Sequence, residues 1–108
     1  MKLWYVAHPY TGRIYTNYKS NITRTNKLLD RGFLVFAPIV HSHPLNEQKE
    51  RAPAFWYAQD LEILAKCDGI ILCPGWEKSK GCLIEKEFAE KYNLEILYYD
   101  EIMEKDIL

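Results

Sequence analysis

Four short, largely apolar stretches at residues 3–7, 33–37, 69–73 and 95–99 recur along the chain, with helix-like segments between them. Apolar runs of this length without strict alternation fit strands buried on both faces. Strands of that kind joined by helical crossovers imply a parallel sheet, because right-handed crossovers carry helices over its two faces. A length of 108 residues suffices for one core and not for two.

His8-Pro9 breaks the first run. Thr16 or Asn17 can then cap a helix carrying Tyr18, Ile22, Leu28 and Leu29, which Gly32 ends. Pro38 closes the second run, and residues 39–51, polar and interrupted by proline, read as a long connection. Pro53 suits the first turn of a second helix with Trp56, Ile63 and Leu64 on its apolar face, Asp60 among them, and an end near Lys66. Residues 74–81 form a loop before a third helix over 82–92, and residues 101–108 form a short tail helix capped by Asp100. The expected fold is α/β, a single domain over 1–108 with a doubly wound, Rossmann- or flavodoxin-like parallel sheet of about four or five strands, helices on both faces. Ligands of such sheets collect beyond the C-terminal strand ends, here the loops at 8–15, 39–51 and 74–81.

Fourteen basic against 15 acidic residues give a net charge of -1, which excludes a grip on duplex nucleic acid. The apolar runs are too short to span a membrane and the N-terminus leads directly into a strand, so a soluble, cytoplasmic protein is expected. Cys67, Cys73 and Cys82 lack CxxC spacing and read as reduced, buried thiols.

The most informative segment for chemistry runs from Pro74 through Gly75, Ser79 and Gly81 to Glu85. A strand, a glycine-containing loop and a helix start make an anion site, to which the Ser79 hydroxyl can add a donor. No Gly-Lys-Ser/Thr triplet ends the loop, so this is not an ATP-binding P-loop. Glu85 falls in the first turn of the third helix, where the macrodipole favours the ionised form that a nucleophile needs. The plainer alternative is a glutamate that only stabilises its helix. Asp60 interrupts an apolar stripe and must find a partner or face a cavity. With Glu85 it would complete the carboxyl pair of glycosyl transfer. His41 and His43, even with His8, do not make a metal-ligand spacing, and they read as pocket-lining loop histidines. Trp4, Tyr5, Tyr10, Tyr15 and Trp76 can stack on a planar base or simply fill the core.

Three segments, Trp4-Tyr5-Val6-Ala7-His8-Pro9-Tyr10, Pro38-Ile39-Val40-His41-Ser42-His43-Pro44-Leu45 and residues 60–89, together resemble the nucleoside 2-deoxyribosyltransferase-like superfamily. Within it they are similar to a short uncharacterised, DUF1937-like branch related to the 2′-deoxynucleoside 5′-monophosphate N-hydrolases. The resemblance implies a Glu85 nucleophile, an Asp60 that orients the base or sugar or moves a proton, and a Tyr5 that lies against the nucleophile. Ser79 stands where nucleoside-specific members carry an aspartate, which implies a 5′-monophosphate substrate. His8, Pro9, Tyr10, Arg13, His41, His43, Trp76, Ser79 and Gly81 would then bind it. The implied reaction is retaining displacement at C1′ with no metal or organic cofactor, in a homodimer or larger homo-oligomer. Two other readings stand beside it: a nucleotide-sensing module without turnover, and an interaction domain whose aromatic surface builds an oligomer.

Overall fold

Continuous burial of the first and third apolar runs places them at the centre of the sheet. A computed structural model describes residues 1–105 of the chain. Strands β1 (Leu3–Ala7), β2 (Leu34–Phe36), β3 (Gly69–Leu72) and β4 (Glu95–Tyr98) are all parallel, in the order β2-β1-β3-β4. The helices are α1 (Ile14–Asp30), α2 (Pro38–Gln48), α3 (Pro53–Ala65), α4 (Lys80–Lys91) and α5 (Tyr99–Glu104). The fold is the expected doubly wound α/β sheet, with four strands.

Strand alternation sorts the core into two layers. Tyr5, Ala7, Ile70 and Leu72 face Leu64 of α3 and Cys82 and Ala89 of α4. Trp4, Val6, Ile71 and Cys73 face Leu28 of α1 and Tyr99 of α5 on the other side. The connection from β1 crosses one face to β2, and that from β3 crosses the other to β4, so the C-terminal ends of β1 and β3 mark the point of reversal where ligands of such sheets collect. Gly69, opposite Trp4 in the register, leaves room for the indole: a Cβ there would collide with the Trp4 ring and lie 2.7 Å from the Glu95 carbonyl oxygen.

Several boundaries differ from the sequence expectation. Residues 39–51 are not an extended connection, since α2 covers Pro38–Gln48 with Pro44 inside it. Pro38 at its start suits a helix, and burial of Pro38 and His43 with Val40 against the second core overrides the poor local propensity. Helix α1 begins at Ile14, before Thr16 and Asn17, and its N-cap Arg13 makes no side-chain cap. The Asn17 amide instead donates to the Tyr10 carbonyl at 3.1 Å. The tail helix starts at Tyr99, not after Asp100, and the expected span beyond residue 105 lies outside the described residues.

Candidate active site

Helix α4 begins two residues earlier than its apolar pattern implies, because Ser79 is its N-cap and accepts from the Cys82 backbone N–H at 3.3 Å. Ser79 therefore uses its oxygen on the helix and keeps its hydroxyl hydrogen for another partner. Glu85 accordingly lies in the second turn, and the first turn holds no acidic residue. The dipole argument for an ionised Glu85 is thus corrected: the macrodipole acts within the first turn, and burial governs this carboxyl instead.

Cys82, Glu85 and Ala89 form the buried stripe of α4, so the carboxyl group is carried into an apolar layer with only 8% of the residue exposed. The Tyr5 hydroxyl, projecting from β1 in the same layer, donates to Glu85 Oε2. Desolvation pushes Glu85 up from 4.5 to about 8, the Tyr5 hydrogen bond opposes the rise, and the Asp60 charge adds to it. Asp60, on α3, rises to about 6 by desolvation. Burial first, then the charges of Glu85 and Asp60, hold the Tyr5 phenol well above its ordinary range, so it remains a donor. Two carboxyls separated in this way hold about one proton between them from pH 6 to pH 8, and it rests mainly on Glu85.

Around this centre, Gly75 takes φ 91° and brings Pro9 Cγ within 3.1 Å of where its Cβ would sit, closing the first loop onto the third. At Gly81 the equivalent position lies 3.4 Å from the Tyr57 hydroxyl, so only a small residue lets that ring rest on the first turn of α4. Trp76 packs on the first core, its ring 5.7 Å from that of Tyr98 and 5.6 Å from Lys86 Nζ, a packing position more than an open stacking platform.

The remaining candidates gather on the opposite face, against α1. His8 is buried, its Nδ1–H donating to the Pro9 carbonyl (2.8 Å) and its Nε2 accepting from Arg24 (2.8 Å). Burial lowers its pKa, and the Arg24 charge adds to this against the Pro9 carbonyl, so the ring is neutral. Tyr10 bonds His43 Nδ1 at 2.6 Å, and Tyr18 stacks on the same imidazole at 3.9 Å. His43 is thus a buried residue of α2, not the loop residue that the sequence suggested. His41, two residues away, is exposed beside Phe36, and Arg13 is exposed as well. Among the described residues no three His, Cys, Asp or Glu side chains are grouped to hold a metal ion. Two surface grooves, of about 290 Å³ and about 450 Å³, are lined by neither Glu85 nor Asp60.

Residues 1–98 match the model of a family described as a domain of unknown function, DUF4406. The chain belongs to that family. No curated protein matches it. In this DUF4406 chain two residues of the architecture, Tyr57 and Arg24, lie outside the sequence expectations. Tyr57 was legible in principle, three residues before Asp60 and so on the same helix flank. Arg24, which holds His8 and lies 5.8 Å from the Tyr99 ring, carries no local signal in the sequence.

Proposed function

We propose that this protein cleaves, or transfers across, the N-glycosidic bond of a nucleoside or its 5′-monophosphate, with Glu85 as nucleophile. The observation that carries the reading is the buried Glu85 carboxyl bonded to the Tyr5 hydroxyl, with Asp60 close enough to perturb it. A carboxylate oxygen attacks C1′, a C–O ester bond forms, and the C1′–N bond breaks with its electron pair going to the base. In the minor form of the singly protonated pair, with the proton on Asp60 and Glu85 ionised, Asp60 supplies the proton that the leaving nitrogen takes up. Water, or a second base, then displaces the ester oxygen and regenerates Glu85. Tyr5 donates to the carboxylate before attack and orients the oxygen that reacts.

The Ser79 hydroxyl hydrogen, beside the N-terminus of α4, suits a phosphate oxygen better than a carboxylate there would, which supports the monophosphate as substrate. The resemblance supports a homo-oligomer, and no helix among the described residues is long and apolar enough to cross a membrane. A screen of nucleosides and 5′-monophosphates for free base, with and without an acceptor base, tests the reading. Base release by the wild type and none by folded Glu85→Ala is the expected result, and undiminished release by Glu85→Ala removes the assignment. One observation favours a second reading, a nucleotide-binding module without turnover: with a pKa of about 8, Glu85 is mainly protonated at neutral pH, the unreactive form. Calorimetric binding of a nucleotide with no product over long incubation would decide for it.

A further inference from the structure

The α2–α3 junction forms a groove of about 290 Å³ that lies apart from Glu85. At 100° per residue, Phe55, Trp56 and Gln59 occupy the flank of α3 turned away from Tyr57 and Leu61, which border α4. The groove is shaped by the chain itself. Asn46 Oδ1 accepts both the Trp56 indole N–H and the Arg51 backbone N–H, each at 2.8 Å, and so ties the linker to both helices. Phe55 and Trp56 meet edge to face with centroids 5.0 Å apart, and the Arg51 guanidinium stands 5.4 Å and 5.8 Å from those two rings.

The charges lining the groove are those of Lys49 and Arg51, both positive, and no carboxylate lines it; Glu50, between them in sequence, is not a lining residue. Phe55 is 45% exposed, so part of its ring is open to a stacking partner beside the Arg51 guanidinium. Gln48 and Gln59 add amide donors and acceptors to the lining. A stacking face, a planar guanidinium, an ammonium and two amides are the groups that recognise a flat heterocycle bearing an anionic substituent. The volume is at the small end for ligand sites and suits one such molecule.

We propose that this groove binds a planar aromatic anion of the nucleoside monophosphate type, at a site separate from Glu85 and independent of its chemistry. The test uses isotope-labelled, full-length Glu85→Gln protein, titrated with adenosine 5′-monophosphate and, separately, with adenosine and ribose 5-phosphate. The Trp56 indole N–H resonance, assigned by its loss in Trp56→Phe, is the reporter. Saturable movement of that signal by the monophosphate is expected, with weaker binding of either half. Arg51→Ala and Phe55→Ala, both near the surface and checked for folding by circular dichroism, each weaken it at least about tenfold. A signal that stays put at millimolar monophosphate, or that moves with equal affinity in both variants, overturns the proposal. Because the carboxylate is already absent, either result leaves base release by the wild type as a separate question.

Discussion

Replacing Glu85 by Gln should make the protein more stable in alkaline solution, because it removes a charge that the folded state tolerates poorly. Glu85 ionises near 4.5 when unfolded and near 8 in its buried position, so between those values the folded chain keeps a proton that the unfolded chain has released. The corresponding stability is present in full below about 4.5, declines as pH rises, and is lost above about 8. At about 1.36 kcal/mol per pH unit the loss is about 5 kcal/mol, comparable with the whole stability of a marginal domain. Asp60, raised from 3.8 to about 6, adds a smaller decline in the same direction. Gln retains an oxygen that accepts from the Tyr5 hydroxyl yet never ionises, so only the Asp60 part of the slope survives. Urea unfolding followed by tryptophan fluorescence at pH 5, 7 and 9 measures this. Wild type and Glu85→Gln should lie close together in acid and separate by several kcal/mol at pH 9, on the order of 20 °C in Tm. Parallel stability curves, or a variant that is the weaker one in alkali, would refute the burial argument.

Tyr5→Phe removes the donor that favours ionised Glu85, so the alkaline limb of the kcat/KM profile for base release should move up in pH and the maximum should fall roughly 10- to 100-fold; an unmoved limb refutes a role for the phenol. Gly69→Ala should cost about 1–3 kcal/mol, since its methyl meets the Trp4 ring and the Glu95 carbonyl, and an unchanged denaturation midpoint would contradict that packing. Cys67, Cys73 and Cys82 are buried, with burial pushing the thiols up to about 11 for the first and about 12 for the other two, so a thiol reagent at pH 8 should label them only as fast as the chain unfolds.

The sheet was legible because buried parallel strands leave uninterrupted apolar runs, and those runs fell within a residue or two of β1 to β4. Helix α2 was not, since its stability comes from tertiary contacts of Pro38, Val40 and His43, while its own residues read as a loop. The separation of Tyr5 from His8 was available in the sequence: three positions along a strand reverse the side, which sends His8 to Arg24 and leaves Tyr5 with Glu85. The protonation state of Glu85 was not, because it depends on how deeply α4 seats its second turn, a quantity that no local pattern encodes.

The Tyr5 hydroxyl and the Glu85 carboxyl are 80 positions apart in the chain. A nascent polypeptide emerging from the ribosome completes β1 early but holds nothing for its phenol to meet until α4 has been synthesised and has docked. Fragments ending before that helix therefore carry Tyr5 and Asp60 without the carboxyl that joins them, and its arrival during synthesis comes with the last crossover of the sheet.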